Sequence, residues 1–100
     1  MSPETEKVLD SVELADALIA LPGWELKGKQ IVKTFVFKKF TEAMDFVNAV
    51  AQLAERLNHH PDIHINYTKV KVHTWTHKYN AVTKLDIQLA GKVDEVYESA

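Results

Sequence analysis

Apolar residues recur along this chain at two spacings, three-to-four and two, and the switches between them mark out seven segments. Over residues 11–21, Leu14, Leu18 and Leu21 recur at helical spacing, with Asp10 and Glu13 three apart as a capping box. Pro22-Gly23 stops that helix. Residues 24–27 read as a strand and Gly28-Lys29 as a hairpin turn. Alternation resumes over 30–37, with Ile31, Lys33, Phe35 and Phe37 on one side and Val32, Thr34 and Val36 on the other. Thr41 reads as the N-cap of a helix over 42–57, whose Ala43, Phe46, Val47, Val50, Leu53, Ala54 and Leu57 form one broad stripe. Pro61 restricts His60 to extended backbone and ends this helix. A strand over 63–67, a tight Thr68-Lys69 turn and a strand over 70–77 follow, the last placing Lys71, His73, Trp75 and His77 on one face. Thr83 caps a final helix over 84–97, with Leu85, Leu89, Val93 and Val96 inward and Asp86 in the capping-box position.

The order α-β-β-α-β-β-α predicts an α+β fold of two layers, a four-stranded antiparallel sheet with helices packed on one face. The other sheet face carries aromatic and polar residues, so it is solvated, lines a pocket, or packs against another subunit. A length of 100 residues predicts one domain over 1–100, with the polar first ten residues loose.

Composition narrows the function. Apolar residues are 46% and charged residues 26% of the chain, which suits a globular protein and excludes a disordered one. No apolar run approaches the roughly 20 residues of a membrane span, and the N-terminus lacks the pattern of a secretory signal. The absence of cysteine removes disulfides, thiol nucleophiles and zinc-thiolate sites, and the cytosol is the expected compartment. A net charge of −2, with Lys38-Lys39 as the longest basic cluster, argues against nucleic-acid binding.

Histidine is the unusual feature: all 5 lie between positions 59 and 77. Imidazole exchanges a proton near neutral pH, and Pro61 holds the His59-His60 pair at a helix-to-strand junction. His77 closes the last strand and can face the same cleft if the two hairpins are neighbours. Glu55, one helical turn before His59, can orient an imidazole, or be only a solvated helix residue. Asp86 reads equally as a helix cap alone or as a functional carboxylate, His64 and His73 read as ordinary polar surface residues, and Trp24 reads as a core anchor more than a substrate contact. A metal site is poorly supported: His73 and His77 on one strand have Cα atoms about 13 Å apart, and His59, His60 and His77 match no metal-binding pattern.

These residues resemble the motif of the pterin-4a-carbinolamine dehydratases, also called 4a-hydroxytetrahydrobiopterin dehydratases. The match consists of Glu55, His59-His60-Pro61, Tyr67, His77 and Asp86 at the family's spacings. Phe35-Val36-Phe37-Lys38-Lys39-Phe40, Leu57-Asn58 and Thr76-His77 support it, and the resemblance runs from about Leu21 to Val96. The chain departs from the family at Ala81-Val82-Thr83, where members often have Gly-Leu, and at Ile63, where vertebrate members have an aromatic. The resemblance implies dehydration of a 4a-hydroxytetrahydropterin by histidine acid–base chemistry, with no metal and no organic cofactor. It implies His59 and His77 as the acid–base pair and His60 as the principal pterin-binding histidine. Asn58, Trp75, Thr76 and Lys78 would line the same pocket, with Glu55 and Asp86 supporting. It further implies a homodimer or homotetramer. Two alternatives stand beside it: a non-enzymatic dimerisation role, since animal members are cofactors of a homeodomain transcription factor, and a pterin from another pathway such as molybdopterin metabolism.

Overall fold

The computed structural model describes residues 6–99. Its elements are α1 (Ser11–Ile19), β1 (Glu25–Lys27), β2 (Gln30–Val36), α2 (Phe40–Leu57), β3 (Asp62–Asn66), β4 (Lys69–Thr74) and α3 (Lys84–Glu98). The strands form an antiparallel sheet in the order β1-β2-β4-β3, so the two hairpins meet where β2 pairs with β4. The helices cover one face, as the pattern predicts. No helix among the described residues is long and apolar enough to cross a membrane.

Alternation decides the buried side. Ile31, Phe35, Val70 and Val72 face the helices and are fully enclosed. The stripe of α2 meets them with Ala43, Phe46, Val50, Leu53 and Ala54, and that of α3 with Leu85, Leu89, Ala90 and Val93. Phe35 lies at the centre, its ring 4.8 Å from Phe46, 5.0 Å from Tyr97 and 6.1 Å from Trp24. Trp24 is the core anchor expected, and its indole N–H donates to Asp94. Lys33 shares the inward face because Asp94, at 2.9 Å, and the Pro22 carbonyl, at 3.0 Å, receive its ammonium.

Several local expectations shift. Lys39, not Thr41, is the N-cap of α2; it makes no side-chain cap bond. Its carbonyl accepts from the Ala43 N–H, so the first turn closes earlier, and Glu42 supplies the negative charge near the helix start. Helix α1 ends at Ile19, before Pro22, with its capping box formed as expected. The second hairpin turns at Tyr67-Thr68 rather than Thr68-Lys69, because Asn66 pairs with Lys69 and Tyr67 takes a left-handed φ of 55°. Strand β4 stops at Thr74 rather than position 77: Thr74 is opposite Ile31, and beyond it Thr76 closes a bridge with Ala81. The first ten residues are not all loose. The Leu9 N–H donates to Val82, the Lys84 N–H donates to Lys7, and Val8 bridges Thr83. Positions 1–5 lie outside the described residues.

Truncating Phe35 to alanine removes the ring shared by sheet, α2 and α3. The expected loss is about 3–5 kcal/mol of unfolding free energy, read from urea denaturation followed by far-UV circular dichroism.

Candidate active site

The histidine pair is set by how α2 ends. Asn58 caps the helix in the left-handed region, at φ 51° and ψ 42°. The His59 N–H then reaches back to the Ala54 carbonyl at 3.0 Å, and the Asn58 N–H to Glu55 at 3.2 Å. An asparagine tolerates this conformation where most residues do not. The reversal turns His59 inward, and the extended backbone before Pro61 carries His60 outward. Asn58 itself is exposed.

His59 is buried, and its Nε2 lies 2.5 Å from Asp86 Oδ1. Asp86, in the first turn of α3, has no solvent exposure. Four donors meet its carboxylate. The Thr74 hydroxyl donates to Oδ1 at 2.6 Å, and the His59 ring shares that oxygen. The Thr76 hydroxyl and the Thr83 backbone N–H donate to Oδ2, both at 2.9 Å. Burial alone pushes the Asp86 carboxyl up. The bonds from His59, Thr74 and the Thr83 N–H, with the charge on His59, more than offset it and hold the group below the ordinary carboxylate range.

Donor counting then assigns directions. Thr76 uses its hydroxyl hydrogen on Asp86, so in its 2.8 Å contact with Thr83 it accepts. Thr83 donates there and accepts from the Leu85 N–H. An ionised Asp86 only accepts, so His59 carries a proton on Nε2. Asp86 therefore completes the α3 capping box with Thr83 and also pairs with the His59 imidazole.

His60 is exposed and its Nε2 pairs with the Glu55 carboxylate. Glu55 thus serves the second histidine of the pair, not the first. His77 is exposed just past β4, where the Asn80 N–H returns to its carbonyl, and its ring stacks on Trp75 at 4.3 Å and 24°. Lys78 is exposed beside the Tyr79 ring. Strand alternation sends Thr74 and Thr76 towards the helices and Trp75 towards the open face. The structure brings together Asp86, His59 and Thr76, separately Glu55 and His60, and separately Trp75 and His77. No hydrogen bond or ring contact joins His77 to either of the other two histidines among the described residues.

Thr74 and Thr83 were not among the expected site residues. A signal was there: Thr74 and Thr76 continue the buried alternation of Val70 and Val72, so polar side chains fall on a core face. His64 and His73 are not isolated polar residues either. Their rings lie 4.7 Å apart on the open sheet face, and His73 Nε2 is buried without a partner. Burial first, then the neighbouring His64 and Lys71, push His73 below the usual histidine range, against the pull of Asp62. No group of three or more His, Asp or Glu side chains among the described residues is placed to hold a metal ion. A cavity of about 820 Å³ lies at the far end of the core, lined by Phe37, Glu42, Phe46 and Tyr97 among others and by no histidine. Its titratable walls are Lys38, Glu42, Asp45 and Tyr97, with no imidazole among them, so the histidine clusters are the better candidates for proton exchange near neutral pH.

Comparison with known proteins gives one family. The sequence profile described as Pterin 4 alpha carbinolamine dehydratase matches residues 7–96. A Thermomicrobium roseum protein, provisionally named a pterin-4-alpha-carbinolamine dehydratase, is 49% identical over 88 residues, covering 88% of this chain and 95% of its own. One from Sulfurisphaera tokodaii, named in the same way, is 46% identical over 90 residues, 90% of this chain and 97% of its own. The crystal structure of a transcriptional coactivator/pterin dehydratase from Brucella melitensis superposes with a TM-score of 0.87 at 39% identity, covering 91% of this chain and 99% of that one. A pterin dehydratase-like protein described as a RuBisCO assembly factor of the alpha-carboxysome shares the fold, with a TM-score of 0.64 at 23% identity over 77% of this chain and 89% of its own.

Asp86→Asn tests the buried carboxylate. Because the folded chain holds Asp86 below its unfolded value of about 3.9, its stabilisation is complete above about pH 4 and is lost as pH falls through the folded value. The gap in urea midpoint between wild type and Asp86→Asn should be wide at pH 5 and narrow towards pH 2.5. An unchanged gap would remove Asp86 from the acid transition.

Proposed function

The chain belongs to the pterin-4-alpha-carbinolamine dehydratase family, and from that membership and the histidine–carboxylate geometry we propose that it is a hydro-lyase converting a 4a-hydroxytetrahydropterin to the quinonoid dihydropterin. The observation that carries the reading is His59: one ring nitrogen is anchored on a buried carboxylate, which leaves the other for a ligand. Loss of water from C4a requires a proton for the departing hydroxyl and removal of one from N5. The N5 lone pair assists departure, and two imidazoles supply and accept the protons. His59 and His77 take these two roles, and His60, steadied by Glu55, binds the pterin. Asn58, Trp75, Thr76 and Lys78 complete the pocket; Trp75 holds the His77 ring by stacking. The placement is cytoplasmic, in tetrahydrobiopterin recycling, and needs no cofactor.

The test is stopped-flow absorbance of 4a-hydroxytetrahydropterin decay with a chelator present. The wild-type protein should accelerate decay, and His59→Ala and His77→Ala should each lose about 10²-fold or more in turnover while keeping the fold. Wild-type rates from both variants would sink the assignment. No acceleration by folded protein would favour a non-enzymatic role of the kind in the Brucella relative's description, transcriptional coactivator, or a pterin of another pathway such as molybdopterin metabolism.

We also propose a homodimer or homotetramer. Val36, Phe40, Ile65 and Tyr67 are all exposed at the end of the sheet marked by the second hairpin turn, with the Phe40 and Tyr67 rings stacked at 6.4 Å. Exposed apolar side chains grouped in this way mark an interaction surface. Light scattering on a sizing column should give two or four times the 11.4 kDa chain mass; a monomer alone would contradict it.

A further inference from the structure

We infer that Thr74 is a positioning residue that sets which ring nitrogen of His59 is free to meet a ligand, a role whose catalytic consequence rests on the dehydratase reading. Thr74 is the last residue of β4, directly opposite Ile31 and 1% exposed. The preceding inward residues of its strand, Val70 and Val72, are both apolar. A hydroxyl here is therefore a local break in the pattern of the sheet.

The hydroxyl has one hydrogen and two neighbours. Asp86 Oδ1 is 2.6 Å away and His59 Nε2 is 3.3 Å away. The hydrogen goes to the nearer, anionic oxygen, so the Thr74 oxygen presents a lone pair to the ring. Two oxygens, Asp86 Oδ1 and Thr74 Oγ1, then face Nε2, and both favour a proton on it. The alternative tautomer would set the Nε2 lone pair against both.

Thr74 also fixes the carboxylate itself. Thr76 and the Thr83 N–H hold Oδ2; Thr74 and His59 hold Oδ1. With the hydroxyl gone, one acceptor position of Oδ1 opens and the ring alone holds that oxygen, which loosens the angle between carboxylate and imidazole. Nδ1 is the opposite case. Among the described residues it has no hydrogen-bond partner, yet the one fully enclosed, unpartnered side-chain nitrogen or oxygen there is on His73, so Nδ1 is not sealed off. The free atom of His59 is thus Nδ1: it accepts a proton when the ring is neutral and donates one when the ring is charged. Thr74 touches no substrate; it acts through Asp86 and the ring.

Thr74→Val keeps the shape and removes the hydroxyl, and Thr74→Ser keeps the hydroxyl. Two-bond ¹⁵N–¹H correlation spectra of the free protein report the His59 tautomer without any turnover. In spectra recorded where the imidazole is neutral, wild type and Thr74→Ser should show the Nε2-protonated tautomer of His59, and Thr74→Val a mixture of tautomers. In the stopped-flow assay Thr74→Val should lose about tenfold in kcat with KM within about twofold, and Thr74→Ser should recover kcat. Should the valine variant not fold by circular dichroism, Thr74→Cys, a poor donor of similar size, takes its place with the same expectation. A wild-type tautomer and wild-type kcat in the variant lacking the hydroxyl would overturn the inference and leave the dehydratase reading intact. A scrambled tautomer in that variant, with no turnover by wild type, would uphold the positioning role and overturn the dehydratase reading instead.

Discussion

A carboxylate with no access to water is the constraint on which this molecule is organised. An unpaired ionised side chain in such a place would cost several kcal/mol or simply take up a proton. Asp86 avoids both because donors come from three parts of the chain: Thr74 and Thr76 at the end of β4, Thr83 at the start of α3, and His59 just beyond α2. The network therefore locks the sheet to both long helices at one end of the core. Aromatic packing of Phe35, Phe46 and Tyr97 does the same job without polar groups. The apolar contact is tolerant of direction, and the polar one is not. Only the polar end can hold an imidazole at a defined angle.

Backbone geometry divides the labour between adjacent histidines. The left-handed Asn58 and the extended residue before Pro61 send His59 into the network and His60 into solvent. One imidazole is thereby fixed and nearly dry, while its neighbour is wet and steadied only by an exposed carboxylate. His77 is held differently again, by the face of Trp75. A proton-transfer site benefits from such unequal groups, since the anchored ring offers orientation and the exposed rings exchange protons with solvent.

Much of this was legible in the sequence, for identifiable reasons. Helical spacing in α2 and α3 and the period of two in β2 and β4 report burial, and burial decides layer and face. The capping box of Thr83 and Asp86 was visible as a spacing. What spacing could not reveal is that the same carboxylate also reaches across to His59, because that contact joins residues 27 positions apart. Thr74 was passed over since threonine suits any strand, and only its place after two buried valines singles it out. The boundaries that moved share one cause. Lys39, Tyr67 and Thr74 are ends of elements, where the register with a neighbouring strand or the closure of a first turn decides, not the local residue type.

The polar cluster is also an expensive way to build that corner of the core. Val70 and Val72 on the strand, and Leu85 and Leu89 on the helix, show that apolar side chains fill the surrounding positions well. Replacing a buried ion pair and its partners by well-packed apolar residues is often neutral or stabilising. Core packing by itself therefore does not require Thr74, Thr76, Asp86 and His59 to be polar. Local pattern and global packing agree along most of this chain and part company here, at the inward face of β4 and the cap of α3. Such a disagreement is expected where a site imposes a demand that packing does not. The demand that fits is an imidazole with a fixed tautomer and one nitrogen left free, since each member of the cluster contributes to that outcome and an apolar substitute for any of them would not.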